Sequence, residues 1–242
     1  MSSQTIGYER RGKIAWITMD DGKANAINGA LLSGVEDALA QAGEESCSAV
    51  VLVGRPGFFS AGLDLKTLPV LPRDELLATL AQFTRVSRRL LTFPRPIVAA
   101  ITGHAIAGGA VLSLCCDHRI AALGEGKIGL NEAAIGIPLP TFVVELGRHR
   151  LSVPAQVAAM VHGTLYSVTG AHAIGFLDAV AAPDELAQKA QEAAERLGNL
   201  PHLSYTQSKS RLYAPLLAGD AELATAHELE SFLRAMELKK PR

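Results

Sequence analysis

The sequence predicts an α/β domain in which parallel strands alternate with helices. Short, wholly apolar runs, such as residues 49–53 (Ala-Val-Val-Leu-Val), are typical of strands buried on both faces of a sheet. Between these runs, apolar residues recur at three- and four-residue steps, which indicates amphipathic helices. The chain has 242 residues, of which 48% are hydrophobic and 19% charged. That length and composition allow a substantial core without disulfides or metals.

The order of the predicted elements along the chain is strand, helix, strand, helix, strand, which favours parallel pairing. Strands are predicted at residues 8–10, 14–19, 49–53, 97–101 and 118–122, the first two as a hairpin. Helices are predicted from about residue 29 to 42, over 76–91 and over 108–116. Pro94 and Pro96 end the second helix.

The C-terminal half of the chain shows a different pattern. Beyond about Leu139 the signals are almost wholly helical, with helices predicted over residues 153–163, 169–176, 184–198 and 220–236. We therefore expect an α/β core over residues 1–190 and a helical C-terminal region over residues 191–242.

Charge and cysteine content argue against several classes of protein. Lysine and arginine total 23 and aspartate and glutamate 24, so the formal net charge of −1 gives little attraction for nucleic acid. The three cysteines are an odd number without a CxxC pair, which fits a reducing compartment. The first ten residues contain no apolar signal-peptide core, so we expect a cytoplasmic protein.

One apolar stretch is long enough to cross a membrane. Residues 96–116 contain no formally charged side chain. The stretch also contains Pro96, Gly103, Gly108 and Gly109, which suit a spanning helix poorly. We interpret it as a buried strand, a glycine turn and a buried helix, and we expect no membrane association.

Two glycine-containing turns, residues 58–65 and 103–109, each follow a predicted buried strand. Glycine lets a ligand approach the backbone closely, and a helix beginning at such a turn offers unpaired N–H donors. Two turns that face one point could therefore stabilise a developing oxyanion. The alternative is that small residues only allow tight strand–helix packing, and spacing alone does not separate the two interpretations.

Two more specific sequence motifs are incomplete at these turns. Residues 103–109 have the glycine spacing of a phosphate-binding loop, but Gly109-Ala110 stands where Lys-Ser/Thr is required. Ser60 lies two residues before Gly62, but Phe58 occupies the other glycine position of a nucleophile elbow. A nucleotide-binding loop and a serine nucleophile are both disfavoured.

Several segments carry recognisable motifs in a fixed order. Residues 59–65 are Phe-Ser-Ala-Gly-Leu-Asp-Leu, and residues 95–109 are Arg-Pro-Ile-Val-Ala-Ala-Ile-Thr-Gly-His-Ala-Ile-Ala-Gly-Gly. Residues 25–28, 116–121 and 173–180 are Asn-Ala-Ile-Asn, Cys-Asp-His-Arg-Ile-Ala and Ala-Ile-Gly-Phe-Leu-Asp-Ala-Val. In order and spacing these segments resemble motifs of the crotonase (enoyl-CoA hydratase/isomerase) superfamily, over about residues 6–200.

The resemblance implies a crotonase-like spiral of ββα repeats, with residues 191–242 as a helical region that mediates homotrimers or dimers of trimers. It implies an acyl-CoA thioester ligand, with CoA as part of the substrate and no metal or other cofactor. Two positions depart from the family pattern. Thr102 replaces a common asparagine, and Ala107 replaces the first glycine of Gly-Gly-Gly. The alanine should be harmless if that position is not in a left-handed conformation.

The resemblance also assigns catalytic groups. By position, the backbone N–H groups of Leu63 and Gly108 would be the oxyanion donors. Family hydratases usually carry two glutamates, but Val111 occupies the first position and cannot titrate. Glu132 matches the second, within a Gly-Leu-Asn-Glu string that resembles Δ3,Δ2-enoyl-CoA isomerases, which keep only this glutamate.

These assignments predict an isomerase of fatty acid metabolism. Glu132 would move a proton from C2 to C4 of a 3-enoyl thioester, in an apolar pocket that raises the pKa of Glu132. Val111 would help by excluding water. The alternatives are an enoyl-CoA hydratase (a lyase) that uses Glu132 and a differently placed water, and a non-catalytic acyl-CoA-binding protein. Without the resemblance, Glu132 could be a solvated or helix-capping residue.

Further substrate contacts follow from position in the family motifs. The resemblance implies contacts at Ala61, Asp64, Leu65, Lys66, His104 and Val111. Simpler alternatives are that Asp64 braces its turn, His104 is structural and Lys66 is solvated.

Other polar residues receive structural interpretations. Glu145 would be a second acid or, preferably, a helix-surface residue, and Cys115 and Cys116 would lie in the core. Pro140 lies where dienoyl isomerases of the family carry an aspartate, which argues against that activity. We expect Arg85, Arg88 and Arg89 to form a solvated helix face.

Overall fold

The computed structural model describes residues 5–218 and 226–239, and these residues form twelve strands and eight α-helices. The strands are β1 (Ile6–Arg11), β2 (Ile14–Met19), β3 (Ala26–Ile27), β4 (Ala49–Val53), β5 (Gly57–Ser60), β6 (Gly62–Leu63), β7 (Ile97–Ile101), β8 (Gly103–Ile106), β9 (His118–Ala122), β10 (Lys127–Gly129), β11 (Tyr166–Ser167) and β12 (Ala179–Ala181). The helices are α1 (Gly29–Glu44), α2 (Arg73–Thr92), α3 (Gly108–Leu114), α4 (Thr141–Arg150), α5 (Val168–Ile174), α6 (Leu186–Gly198), α7 (His202–Ala218) and α8 (Ala226–Glu237).

Most strands belong to two sheets. The larger has the order β1-β2-β4-β7-β9-β12, and the smaller has the order β11-β10-β8-β5. β1 and β2 form the predicted antiparallel hairpin, and the other pairs of the larger sheet are parallel. In the smaller sheet β5 and β10 both run parallel to β8, while β3 pairs with β6 separately.

Strand–strand–helix repeats connect the two sheets. The repeats are β2–β3–α1, β4–β5–α2 with β6 inserted, β7–β8–α3 and β9–β10–α4. The first strand of each repeat belongs to the larger sheet, and the second strand belongs to a different sheet. This arrangement confirms the predicted α/β class and the spiral of ββα repeats.

Both faces of the larger sheet are buried, which explains why its strands are apolar throughout. Along β4, Val50 and Leu52 lie in the main core with side chains from α1, α2 and α3. Ala49 and Val51 point to the other face, where Ala190 and other apolar residues of α6 cover the sheet. A strand buried in this way shows no polar alternation, as parallel strands between helical layers typically do not.

The two glycine turns contain more strand than the sequence predicted. They include β5 and β8, and a helix begins directly only after the second turn, at Gly108. At Gly62 the chain begins β6, and a single 3₁₀ turn follows before α2. Gly103 is the first residue of β8 and does not simply end β7. A Cβ atom at this position would lie 2.1 Å from the carbonyl oxygen of Gly57 in β5. The missing side chain lets β5 and β8 pair.

The C-terminal prediction was partly wrong. The helices predicted over residues 169–176 and 184–198 are confirmed as α5 and α6, and α8 covers part of residues 220–236, the rest of which lie outside the described residues. Residues 153–163 form a 3₁₀ turn and a π-helical turn instead of one helix. The short strands β11 and β12 were missed, and so was helix α4. Helix α7 was missed as well, since its apolar periodicity is weak and it contains Pro215.

A buried ion pair attaches α7 to the core. Nζ of Lys209 lies 2.7 Å from Oδ2 of Asp117, and the side chains are 6% and 12% exposed. The same carboxylate oxygen accepts the backbone N–H of Ile97 at 2.8 Å. Asp117 therefore joins α7 to the start of β7.

A second carboxylate joins two strands of the larger sheet. Asp178 accepts the guanidinium of Arg119 through Nε (2.8 Å) and Nη2 (2.7 Å), and it also accepts the backbone N–H of Arg119. These contacts explain the Asp and Arg positions of the motifs at residues 116–121 and 173–180. Cys115 and Cys116 are fully buried, as predicted.

The apolar stretch at residues 96–116 is divided among β7, β8 and α3. The described residues contain no helix with the length and apolar character needed to cross a membrane. The interpretation as strand, turn and helix is therefore confirmed.

The backbone of Ala107 adopts an unusual conformation. It has φ +51° and ψ −124°, a region that side chains with a Cβ rarely occupy. The expectation that alanine is harmless here depended on the absence of a positive φ, so that condition is not met. Strain of this kind costs of the order of 1–3 kcal/mol and is common at functional sites.

We expect Ala107→Gly to stabilise the fold by about 1 kcal/mol, because relief of the positive φ exceeds the added entropy of the unfolded chain. Thermal and denaturant unfolding would measure the change. Ala105→Gly is the matched control, since Ala105 is fully buried in β8 without a positive φ and its substitution should destabilise. Equal losses of stability in both variants would contradict strain at residue 107.

We expect Lys209→Met to lower the free energy of unfolding by about 3 kcal/mol, because it leaves the buried carboxylate of Asp117 without its countercharge. Lys189→Met provides the control, since the pair of Lys189 with Glu192 is about half exposed on both sides. That change should cost less than about 1 kcal/mol. Chemical denaturation of the two variants would test the difference, and similar costs would argue against Lys209 as an anchor of α7.

Candidate active site

The carboxyl ends of three neighbouring parallel strands, β5, β8 and β10, meet at one edge of the smaller sheet. Residues 61–63, 107–108 and 131–132 follow these ends directly. Ligands of α/β proteins commonly bind outside the carboxyl ends of parallel strands. A cavity of about 780 Å³ lies here, and all three segments contribute to its wall.

Buried polar side chains stabilise the first segment, and the strand before it, through hydrogen bonds. The carboxamide of Asn25 donates to the carbonyl oxygens of Phe58 (3.2 Å) and Phe59 (3.1 Å). The hydroxyl of Ser60 donates to the carbonyl of Asn25 at 2.7 Å and accepts the N–H of Gly62 at 3.2 Å. Ser60 is fully buried, so it supports the turn and is not placed to act as a nucleophile.

A backbone hydrogen bond ties the second segment to the end of β10, the strand that precedes the third segment. The N–H of Ala107 donates to the carbonyl oxygen of Gly129 at 2.9 Å, and α3 begins at the next residue, Gly108. The N–H groups of the first helical turn have no acceptor within their own helix. The Gly108 amide is one of these donors. It directly follows Ala107, which is bonded to β10, the strand that leads to Glu132.

The two predicted oxyanion donors are brought together. A Cβ atom at Gly62 would lie 3.1 Å from the amide nitrogen of Gly108, and one at Gly108 would lie 3.5 Å from the amide nitrogen of Leu63. Leu63 and Gly108 both belong to the cavity wall. Close approach of the two turns requires glycine at residue 62, which has φ +88° and where a Cβ atom would lie 2.9 Å from both the carbonyl oxygen of Ile106 and the Cβ atom of Ala107.

Glu132 follows β10 in a tight turn. Its carbonyl oxygen accepts the N–H groups of Ile135 (3.1 Å) and Ile137 (2.9 Å), which fixes the backbone. Oε2 of its side chain is buried and has no hydrogen-bond partner among the described residues. Burial raises the pKa of Glu132 to about 7, since removal from water disfavours the charged form.

Val111 contributes an apolar side chain to the cavity that Glu132 also lines. It lies in the first turns of α3, is 1% exposed and belongs to the same cavity wall. The site therefore combines a carboxyl group that gains and loses a proton near neutrality with two backbone amides and apolar side chains. This combination suits proton transfer beside a carbonyl oxygen that becomes negative.

The structure places the other predicted contact residues in two groups. Ala61 and Leu65 join the cavity wall. Asp64, Lys66 and His104 do not: Asp64 accepts the N–H groups of Lys66 (3.0 Å) and Thr67 (3.2 Å) and braces the turn. His104 accepts the N–H of Lys127 at 3.1 Å, and its ring centroid lies 5.0 Å from that of Phe58.

Glu145 lies in the cavity wall but is also paired. It forms an ion pair with Arg148 at 3.1 Å on the partly exposed side of α4. Arg85 pairs with Glu36 at 2.6 Å and is largely exposed, which agrees with a solvated helix face. Arg88 differs from that prediction, because it is half-buried and lines the cavity.

Sequence reasoning assigned no individual apolar side chain of α2, α4 or α8 to the cavity wall. Helices α2, α4 and α8 supply Leu80, Phe83, Phe142, Leu229 and Phe232. An apolar helix face is a weak signal, since it equally indicates an ordinary core. Asn131 was also missed, although its neighbour Glu132 was chosen.

The C-terminal helix is docked by a polar contact. The carboxylate of Glu228 on α8 accepts the backbone N–H of Thr141 at 2.8 Å, and it also accepts the hydroxyl of Thr141. These contacts satisfy a free donor at the start of α4. They hold α8 where Phe232 closes the cavity.

Comparison with known proteins identifies relatives that carry the name of the same family as the sequence motifs. The sequence model of the enoyl-CoA hydratase/isomerase family matches residues 9–237. A probable enoyl-CoA hydratase from Rhizobium meliloti is 31% identical over 205 residues, which are 82% of this chain and 77% of that protein. The mitochondrial enoyl-CoA delta isomerase 1 of Mus musculus is 32% identical over 70% of this chain and 59% of its own length.

The same Mycobacterium tuberculosis protein is described as a probable enoyl-CoA hydratase in one solved structure and as an enoyl-CoA isomerase in another, which has a closely similar fold. It superimposes with a TM-score of 0.85 at 33% identity, over 98% of this chain and 100% of that one. The relatives thus include both hydratases and isomerases. The chain belongs to the enoyl-CoA hydratase/isomerase family.

Proposed function

We propose that the protein is a Δ3,Δ2-enoyl-CoA isomerase in which Glu132 is the only acid–base group. The observation that carries the proposal is the buried Oε2 of Glu132, which has no partner in the described part of the chain and lies in the same cavity wall as Leu63 and Gly108. Val111 stands at the first of the two positions where family hydratases usually carry a glutamate, and Glu132 stands at the other. One carboxyl group suffices for isomerisation, because the proton that leaves one carbon returns to another.

The reaction begins with the carboxylate form of Glu132. It removes a proton from C2 of a 3-enoyl thioester, and the electron pair spreads over C2, C4 and the thioester oxygen. The resulting carboxylic acid then returns the proton to C4, which leaves a double bond between C2 and C3. A group with a pKa of about 7 can make both transfers near neutral pH.

The backbone amides of Leu63 and Gly108 hold the thioester oxygen during these steps. Negative charge develops on that oxygen in the dienolate, so donors already in position stabilise the transition state more than the ground state. Each donor of this kind contributes roughly 3 kcal/mol. The braced turn at Asp64 and the hydrogen bond from Ala107 to Gly129 keep the amides fixed.

CoA takes part as the carrier of the acyl group, and the proposed chemistry uses no metal or other cofactor. Lys66 is exposed beside the braced turn and is available to a CoA phosphate. His104 and Asp64 support the turns rather than contact the acyl group. We keep homotrimers or dimers of trimers, with residues 191–242 as the assembly region, and a cytoplasmic location as parts of the proposal.

Hydration of 2-enoyl-CoA is the second candidate activity, since hydratases are among the similar proteins. The two activities are separated by offering 3-enoyl-CoA and 2-enoyl-CoA to the same preparation. Isomerisation raises the absorbance of the conjugated thioester, and hydration lowers it. A protein that binds these thioesters without converting either would be a non-catalytic member of the family.

We expect Glu132→Gln to lower kcat for 3-enoyl-CoA isomerisation by about 10³-fold, because the amide cannot accept the C2 proton. Absorbance of the conjugated product measures the rate. Glu145→Gln is the control within the same cavity, and it should change kcat only a few-fold, since its carboxylate pairs with Arg148. Retention of activity in the Glu132 variant would refute the proposed base.

The pH dependence should report the same group. Since the carboxylate is the active form in the free enzyme, kcat/KM should rise tenfold per pH unit below about pH 7 and level off above it. Initial rates between pH 5 and pH 9 would measure the profile. A midpoint near the ordinary glutamate pKa of 4.5 would contradict a buried base.

Stability should change in the opposite direction. The pKa of Glu132 is higher in the folded than in the unfolded state, so its favourable contribution is complete below pH 4.5 and is lost as the pH rises to about 7. Glu132→Gln should therefore raise Tm at pH 8 and leave it nearly unchanged at pH 4. An equal shift at both pH values would mean that ionisation of Glu132 does not cost stability.

A further inference from the structure

Two polar residues beside the first glycine turn, Ser60 and Asn25, take no part in the proposed chemistry. Both are completely buried, with 0% of their surface exposed. Burial of a polar side chain costs free energy unless its hydrogen bonds are made inside the protein. The hydrogen bonds of this pair reach the backbone of residues 58–62, directly before Leu63. Their contacts therefore bear on one of the two proposed oxyanion donors.

The hydroxyl of Ser60 is used both as a donor and as an acceptor. It donates to the backbone carbonyl oxygen of Asn25 at 2.7 Å. Its oxygen accepts the backbone N–H of Gly62 at 3.2 Å. The hydroxyl thus connects the backbone of residue 25 to the peptide unit that comes immediately before the one with the Leu63 amide.

Asn25 is itself held firmly at the other end of this connection. Its carboxamide nitrogen lies 2.8 Å from the carbonyl oxygen of Met19 and 3.1 Å from that of Phe59. Its carboxamide oxygen accepts the N–H of Asp21 at 3.0 Å. The backbone has φ +50°, a conformation that asparagine adopts more readily than most residues. The carbonyl group that receives the Ser60 hydroxyl is therefore fixed between β2 and β5.

The peptide unit with the Leu63 amide lies between two bonded neighbours. The N–H of Gly62 before it donates to Ser60, and the N–H of Asp64 after it donates to the carbonyl oxygen of Ile27 at 3.0 Å. Glycine has more backbone freedom than any other residue, and Gly62 has φ +88°. The hydroxyl of Ser60 supplies a restraint that the glycine itself lacks.

We infer that Ser60, anchored by Asn25, is a positioning residue for the oxyanion site, because its hydroxyl holds Gly62 so that the Leu63 amide faces the thioester oxygen. The inference rests on the proposed function for the role of Leu63, but it does not depend on which proton transfer follows. A donor stabilises developing charge best when it is oriented in advance. Loss of the hydroxyl should therefore weaken binding of an enolate more than binding of a neutral thioester.

Acetoacetyl-CoA is a suitable probe, because this 3-oxoacyl thioester ionises to an enolate that absorbs near-ultraviolet light and has negative charge on its thioester oxygen. On the wild-type protein the probe should ionise at a lower pH than in free solution. Removal of a whole oxyanion donor costs about 10²–10³-fold, so we expect misorientation in Ser60→Ala to raise the pH midpoint of the bound probe by about one unit, a tenfold loss. Spectrophotometric titration of the saturated proteins measures the midpoint.

A matched control separates this role from general support of the fold. Ser87 is also fully buried, and its hydroxyl donates to the carbonyl oxygen of Phe83 at 2.8 Å within α2. Ser87→Ala should leave the midpoint unchanged even where it lowers Tm. The midpoint does not depend on the fraction of active protein, so a merely structural loss at Ser60 would not move it either.

A second variant keeps the test decisive where Ser60→Ala does not fold. Ser60→Cys retains a weak donor and a weak acceptor at the same position. Its midpoint should lie between those of the wild-type protein and Ser60→Ala, and above that of the wild-type protein in any case. Thermal unfolding of each variant establishes that it is folded.

The outcomes distinguish this inference from the proposed function. An unchanged midpoint in the folded Ser60 variants, or an equal rise in Ser87→Ala, would overturn the role of Ser60 and leave the proposed isomerase intact. A midpoint that depends on Ser60 in a protein without isomerase activity would refute only the proposed reaction. A wild-type protein that does not lower the midpoint would overturn the oxyanion assignment of Leu63 and Gly108 together with this inference.

Discussion

The parallel pairing of β8 with β5 on one side and β10 on the other brings the candidate site together. Each of the three strands is followed within three residues by Leu63, Gly108 or Glu132, so their alignment places residues from distant parts of the chain at one edge. Gly103 permits the pairing, because a side chain there would overlap the backbone of Gly57. The hydrogen bond from Ala107 to Gly129 then fixes the distance between the second turn and the strand before Glu132.

The same edge concentrates features that disfavour folding. Ala107 has a positive φ, and Oδ1 of Asn131 and Oε2 of Glu132 lack partners in the described chain. Each costs free energy that an ordinary core would avoid, and each lies in the cavity wall. Their clustering is easier to explain as a reactive site than as accumulated packing defects. The well-packed larger sheet, buried on both faces, supplies the stability that tolerates them.

The helices give the site its dry wall. Side chains from α2, α4 and α8 face the turns, and Glu228 joins the last helix to the first residue of α4. Helix α8, which is distant in sequence from the three turns, supplies part of the cavity wall. Closure of the cavity therefore depends on the C-terminal region as well as on the α/β core. The apolar wall also explains the pKa of Glu132, since desolvation is the main cause of its rise.

Local patterns were sufficient for the α/β class, the long strands of the larger sheet and most helices, because burial on both faces produces unbroken apolar runs that a single segment displays. The motifs around Gly62, Gly108 and Glu132, through their resemblance to one family, selected the residues that the structure assembles. Local patterns failed for β5, β8 and β10, whose three or four residues include glycine and show no alternation. They failed for α7, because only Lys209, Tyr213 and Leu216 of this helix are buried and its apolar stripe is weak. Tertiary structure alone decided which side chains are left without partners, as with Asn131, and which backbone is strained, as with Ala107, since both depend on neighbours far away in the chain.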